Sequence, residues 1–404
     1  MRKLYICLIS LLLTAGLIQA REPIAYVVNT AGETLSKINL ATGQITANLL
    51  TLGSSLLSQP NQIIVRDTLA YVLNSGTDEI QLIDLNSEST VGYIDFPSGC
   101  SPYWMAFYDD SMLFVTGFVS GNLYHVNVMS GAVVASIPVG ESPEGVEIKA
   151  GKVFVAVSGF NQSTWEYDQG ILAVVDPSGD SLLNRIEVGT NPQYTATDGL
   201  GRLHVVCTGD YWSVFGKVYV VDPSNESVVD SIDLGGYPGM VAVTPDNMGY
   251  IAAGGWVDEG EVMTYNAATG EVYHGSSNPL PVDSGCMMVI PYQDTTCFVG
   301  TFRDYVTSID SSGTELARYA VGDGPVYLAV NYLPGDINGS YTVDITDLVM
   351  MVTYMFQQGQ LPPWPRWRMN VNGMGGVDIS DLVYLVGYMF QHGPAPRVGA
   401  TWKE

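Results

Sequence analysis

A short strand phrase returns seven times between residues 23 and 330. Ala25-Tyr26-Val27-Val28-Asn29 recurs as Ala70-Tyr71-Val72-Leu73-Asn74. Weaker copies stand at Leu113-Phe114-Val115-Thr116, Val153-Phe154-Val155-Ala156, Leu203-His204-Val205-Val206, Tyr250-Ile251-Ala252 and Cys297-Phe298-Val299-Gly300. Apolar runs this short, broken by Gly, Asn, Asp and Pro, favour strand over helix. A second short strand follows each copy, often closing on Asp, as at Leu82-Ile83-Asp84, Val174-Val175-Asp176, Val220-Val221-Asp222 and Ser308-Ile309-Asp310. A third strand comes next, and then a Gly-x-x-Pro corner at residues 140–143, 189–192, 235–238 and 322–325. A spacing of about 40–50 residues is the period of a four-stranded propeller blade, a unit that buries its faces only by stacking on copies of itself. Seven copies predict an all-β seven-bladed β-propeller over residues 21–330.

The phrase resembles the repeat of the YVTN family of propellers, through Tyr71-Val72-Leu73-Asn74 above all, over most of residues 23–330. The resemblance implies a fold and says little about function. Closure of the ring is also legible. The strand after each corner should be the innermost of its blade, and the last of these, at 326–330, has no outer strands after it. The first copy, at Tyr26, has no inner strand before it. Pairing the two completes the seventh blade and removes the edges that an open array would expose.

Two similar phrases follow the ring. Asp336-Ile337-Asn338-Gly339-Ser340-Tyr341-Thr342-Val343-Asp344-Ile345-Thr346-Asp347 leads into an apolar run at 348–356, and residues 370–381 repeat the arrangement with Asn370, Asn372, Asp378 and Asp381 before a run at 382–390. Oxygen-bearing side chains on alternate loop positions, closed by a carboxylate at the twelfth, suit calcium, a hard cation that takes six to eight oxygens at about 2.3–2.6 Å. The expected ligands in the first loop are Asp336, Asn338, Ser340, the Thr342 carbonyl, Asp344 and Asp347. That loop has Tyr341 at position six, where a calcium loop ordinarily has Gly, and Ser340 where an aspartate is usual, so its affinity should fall toward about 10⁻⁴–10⁻³ M. The second loop, with Asn370 first and Met374 fifth, reads as a weaker site or as a relic held by packing.

These phrases resemble the duplicated repeat of type I dockerins, over roughly residues 335–396. Val343 and Val377 match its apolar position, Asp347-Leu348 and Asp381-Leu382 open its helices, and Tyr354 and Tyr388 match its aromatic position. The resemblance implies a small all-α C-terminal dockerin-like calcium-binding module over residues 331–396, with a tail at 397–404. It also implies a cohesin-domain partner, contacted through Ile345, Thr346, Val352 and Thr353 and, in the second repeat, Ile379, Ser380, Val386 and Gly387.

Residues 1–20 read as an export signal: Arg2 and Lys3, an apolar run, then Ile18-Gln19-Ala20 as a cleavage site. The mature chain is therefore expected to begin at Arg21, without membrane insertion, and to be secreted or held at the cell surface, with the periplasm as the alternative. A formal charge of −25 repels phosphate backbones and excludes nucleic acid as a partner class. Cys100, Cys207, Cys286 and Cys297 show no C-x-x-C spacing, which disfavours a zinc site, and are expected as isolated buried thiols in different blades.

The four histidines, His125, His204, His274 and His392, fall in no metal or catalytic phrase, and no G-x-S-x-G is present. One pattern does stand out. The connections that share a face with the Gly-x-x-Pro corners are short and polar in blades 1 and 2, then turn aromatic and acidic from blade 3 onward. They carry Phe118; Trp165, Glu166, Tyr167 and Asp168; Asp210, Tyr211 and Trp212; Trp256, Asp258 and Glu259; and Phe302, Arg303, Asp304 and Tyr305, with Tyr103 and Trp104 just after a corner. Aromatic side chains give broad contact at low entropy cost, and carboxylates accept sugar hydroxyls or basic groups. The face is thus a candidate binding surface for a glycan, a peptide or a protein. Two function classes remain: a non-catalytic exported adaptor tethered through the dockerin-like module, or a tethered enzyme acting on polysaccharide, a hydrolase or lyase, which needs a carboxylate pair about 5–10 Å apart in one pocket.

Overall fold

The computed structural model describes residues 22–254, 259–293, 296–357, 366–374 and 376–397. The expected export signal and the loop residues Trp256 and Asp258 lie outside the described residues. The chain forms a seven-bladed β-propeller of antiparallel sheets. Blade 2 gives the plan: Pro60–Arg66 is innermost, then Leu69–Asn74 and Glu79–Asp84, with Ser89–Asp95 at the rim. The second strand of a blade is covered on both faces by its neighbours, so it reads as an unbroken apolar run; Leu69–Asn74 and Lys152–Val157 are buried after their first residue. Rim strands such as Ser181–Glu187 are mostly exposed and polar.

The ring closes as the repeat register requires. Ile24–Asn29 pairs antiparallel with Pro325–Asn331, Val27 opposite Leu328, so blade 1 is built from both ends of the ring. Polar ties run between neighbouring blades: Lys37 to Glu88 at 2.5 Å, Arg66 to Asp110, His125 to Asp180 at 2.8 Å and Lys152 to Glu226. All four described cysteines are free and buried. Cys286 and Cys297 differ from expectation in sharing blade 7, on the paired strands Cys286–Gln293 and Thr296–Thr301, because the corner before that blade lacks the usual Pro and its inner strand starts at Cys286 itself.

The corners decide what happens at the mouth of the ring. Proline cannot donate to the sheet ladder and is tolerated at the first position of a strand. Behind it the pairing slips, between Pro60 and Gln62, Pro102 and Met105, Pro143 and Val146, and Pro192 and Tyr194. A bulge of this kind re-aims the side chains that follow it. Here those include Tyr103, Trp104, Glu144 and Gln193.

Every inner strand begins at the corner face and runs to the opposite one. The last, Pro325–Asn331, therefore delivers the chain to the face away from the aromatic connections. There Tyr332 donates to the Tyr292 carbonyl (3.0 Å), and Arg368 lies over the Tyr332 ring (4.6 Å). Two helices follow, α1 (Ile345–Gln357) and α2 (Ile379–Gln391), on a core of Ile337, Val343, Met351, Met369, Val371 and Leu385. Asp378 caps α2 in a capping box with Asp381, and His392 ends it in the left-handed region. Among the described residues no helix is long and apolar enough to cross a membrane.

Candidate functional site

The corner face of blades 3 to 5 carries a crescent of touching rings. Tyr103 lies 5.7 Å from Phe118, Phe118 6.4 Å from Phe160, and Phe160 5.1 Å from Tyr167 and 5.8 Å from Trp165. A second group on the same face joins Tyr211 and Phe215 through Tyr237, at 5.7 and 5.6 Å. Trp165 and Trp212 are 78% and 89% exposed, far outside the ordinary packing of an indole.

Local chemistry holds these rings outward. Asp210 accepts from the backbone of Trp212, Ser213 and Val214 at 2.7–2.8 Å, forming a tight tip in which Tyr211 sits at φ 60°. The same bonds, with that from the Ser213 hydroxyl first, hold the Asp210 carboxyl well below its ordinary range. Asn161 does the same one blade earlier, accepting from Ser163 and Thr164, and Trp165 sits at φ 61°. A left-handed backbone costs an L-residue about 1–2 kcal/mol, so two bulky aromatics held there carry strain that their own packing does not return.

Beneath the crescent lies a residue that the aromatic pattern did not single out. Glu144, next after the Pro143 corner, is 3% exposed. Burial pushes its carboxyl up to about 8, against the pull of Ser158 and Gln193 beside it. Its charge reaches four phenols. Tyr194, Tyr167 and Tyr211 are raised by burial first and by Glu144 after it, and Tyr103 is raised by Tyr194, then burial, then Glu144. Gln193 bridges the same space, accepting from Thr208 (2.8 Å) and Tyr211 (3.4 Å). Repeat register held the clue to Glu144: the equivalent positions after the other corners are Asn61, Tyr103, Gln193, Gly239, Met287 and Val326, all uncharged.

Of the expected surface residues Trp104 lies elsewhere, and Phe302 and Tyr305 stand on blade 7, apart from these rings. Trp104 is not on the rim of the face, because the slip after Pro102 turns it inward. It meets Tyr194 and Tyr327 edge-on at 5.6 and 5.2 Å and, with both, lines a central cavity of about 260 Å³. Tyr305 lies under Arg318 (5.4 Å), and Phe302 packs toward the Gly324 corner of blade 1.

On the opposite face the two loops of the helical module are built alike. Asp347 Oδ1 accepts from Ile337 (2.7 Å) and Asn338 (2.9 Å), and Oδ2 from Asp344 (2.8 Å). Asp381 repeats this with Asn372 (3.1 Å) and Asp378 (3.0 Å). Asp344 and Asp378 each cap their helix, accepting from Thr346 and Ser380 at 2.7 Å. The first loop fits a hard cation better. Asp336 and Asp347 are both buried, both are raised chiefly by burial, and the charge of Asp336 raises Asp347 further. A cation between them would relieve both, with Asn338, Ser340 and the Thr342 carbonyl supplying neutral oxygens. Arg368 competes for part of that charge, its Nη1 standing 3.3 Å from Asp336. Outside the loops the helices expose matched apolar triads, Ile345, Val349 and Phe356 on α1 and Ile379, Val383 and Phe390 on α2, each more than half exposed.

No protein-family model matches this chain, and no curated protein matches it. Among solved structures it is similar to the Kuenenia stuttgartiensis hydrazine synthase, with a TM-score of 0.57 and 17% identity, over 69% of this chain and 91% of that one. It is also similar to a functionally unknown protein from Desulfotomaculum acetoxidans DSM 771, with a TM-score of 0.58 and 16% identity, over 76% of this chain and 98% of that one. A computationally designed protein, Ika8, aligns with a TM-score of 0.50 and 11% identity over 73% of this chain and 83% of that one. At such identities the likeness concerns the propeller fold alone.

Proposed function

We propose that this protein is an exported, non-catalytic adaptor. The corner face of its propeller binds a ligand, and the C-terminal module, a calcium-dependent dockerin, fixes the chain to a cohesin-bearing surface or complex. The observation that carries the reading is the pair of strained, exposed aromatic tips at Trp165 and Tyr211-Trp212, on a face with two groups of touching rings. Strain persists where the surroundings over-determine it, and it gathers at binding sites. The two functions point to opposite faces, so a tethered chain keeps its crescent toward solvent. The matched apolar triads on α1 and α2 support a partner for the module, since a lone small domain gains by covering such stripes.

The test screens the full chain against glycan and peptide arrays beside a Trp165→Ala/Trp212→Ala double variant. The double variant is expected to lose binding at least about tenfold, roughly the contribution of one aromatic anchor, with its thermal midpoint unchanged. A fallen midpoint with retained binding would make the two indoles structural and remove the site. Capture by a cohesin domain is expected in calcium and lost with chelator; capture indifferent to chelator would remove the calcium-dependent tether.

Tyr341 tests the first loop. It occupies position six at φ 68°, the conformation for which glycine is ordinarily used. Tyr341→Gly should release about 1 kcal/mol of backbone strain and tighten calcium binding severalfold, read by isothermal titration of the full chain. Unaltered or weaker affinity would mean that the left-handed tyrosine does not limit the site.

A further inference from the structure

The crescent is one-sided in charge as well as in chemistry. Its connections and corners, residues 97–101, 118–121, 139–142, 158–170, 188–191 and 210–214, contain Glu141, Glu166, Asp168 and Asp210 and no Lys or Arg. Lys217, just beyond them, pairs with Asp233 at 3.1 Å. Glu144 lies beneath this surface, and among the described residues it makes no ion pair. A carboxylate is almost never fully buried without a partner, because desolvation favours its neutral form. Stacking on a sugar would use the rings alone and leave the acid neutral, beside Ser158 and Gln193. A cation would use both: the π faces attract it, and the acid completes the pair.

We propose that Tyr103, Tyr167, Tyr194 and Tyr211, with Glu144 as their floor, form a binding site for an organic ammonium group, a protonated or methylated amine carried by the ligand. The inference rests on the corner face being a binding surface, and it names the chemistry that surface selects. The four phenols gather from three blades. Tyr103 comes from the inner strand of blade 3, Tyr194 from that of blade 5, and Tyr167 and Tyr211 from the outer connections of blades 4 and 5. Glu144 is on the inner strand of blade 4, which adjoins the inner strands that carry Tyr103 and Tyr194.

The experiment titrates the full chain with choline, with n-butylammonium, and with 3,3-dimethylbutan-1-ol as the neutral isostere of choline, following tryptophan fluorescence and heat. Cellohexaose serves as the glycan probe. At least one ammonium probe is expected to bind, and the neutral isostere about tenfold or more weakly than choline. Glu144→Gln should lower ammonium affinity about tenfold, and Tyr211→Ala, at an exposed position, should lower it independently. Binding at about pH 7 should also release a proton, seen as a heat that varies with the buffer. Glu141, Glu166 and Asp168 share this surface, and the carboxylates that act on the four phenols are Glu144 and, at Tyr167, Asp210. The phenols stay protonated and Asp210 ionised at that pH, so the proton comes from Glu144. Equal affinity for the neutral isostere, an unchanged Glu144→Gln variant, or no ammonium binding at millimolar concentration would each overturn the proposal. Cellohexaose binding that Trp165→Ala/Trp212→Ala abolishes and Glu144→Gln leaves intact would keep the binding face and remove the ammonium site.

Discussion

Glu144→Gln should make the protein more stable at neutral pH while weakening the proposed ammonium site. The folded carboxyl titrates near pH 8 because it is buried, and an unfolded one titrates near 4.5. As pH rises from about 4.5, the unfolded chain gives up this proton first, and the folded state becomes the one that holds more protons. Stability contributed by this group therefore falls between the two pKa values and is constant outside them, the reverse of a salt-bridged carboxylate. At pH 7 the accumulated cost is about 3 kcal/mol, at about 1.36 kcal/mol per pH unit. Glutamine keeps the shape and avoids that cost. For a chain this long the gain corresponds to a rise of about 3–4 °C in thermal midpoint at pH 7, and to none at about pH 4. Calorimetry of both forms across that range is the measurement. A midpoint difference that does not grow with pH, or a variant less stable at about pH 8, would show that the acid is paired in a way its surroundings do not suggest. Natural proteins keep residues that oppose stability mainly where function uses them.

The propeller was open to sequence reasoning because each blade places one strand between two neighbours. That strand must be apolar throughout, and seven copies of it name both the unit and the number. Closure followed from which strands were missing at the ends. The aromatic face was open only in part. Phe118, Trp165, Tyr167, Tyr211 and Trp212 could be placed because connections follow strand order, which period and polarity reveal. Trp104 and Glu144 could not. A two-residue alternation assumes an unbroken ladder, and the slips behind Pro102 and Pro143 break it where these side chains leave the backbone. In the helical module the loop spacing gave the likeness at once. The exposed Val349 and Val383 were missed because their fourfold spacing from Ile345 and Ile379 looks the same whether that face meets the module's own core or a partner.

Asp347→Ala is expected to take away calcium binding, the order of the first loop and cohesin capture together. The carboxylate of Asp347 is fully buried and accepts three backbone N–H groups, from Ile337, Asn338 and Asp344. It therefore ties both ends of the loop to the first turn of α1 before any metal is considered. Alanine leaves three donors without an acceptor, at about 1–3 kcal/mol for each that stays buried, which is comparable to the whole stability of a small two-helix module. It also removes one of the two buried carboxylates on which a cation would rest. Asp381→Ala, at the twin position, removes a similar backbone cap from the loop that lacks the first aspartate. The two variants thus separate folding from metal. If the caps matter alone, both should loosen their own helix equally in hydrogen exchange, and calcium should protect neither wild-type loop. If calcium holds the first loop, its addition should protect α1 in wild type and in Asp381→Ala but not in Asp347→Ala, and cohesin capture should follow the same order. The propeller should be untouched in all three, since its closure through Val27 and Leu328 does not involve the module. Full calcium heat and full capture in Asp347→Ala would overturn the assignment of this loop.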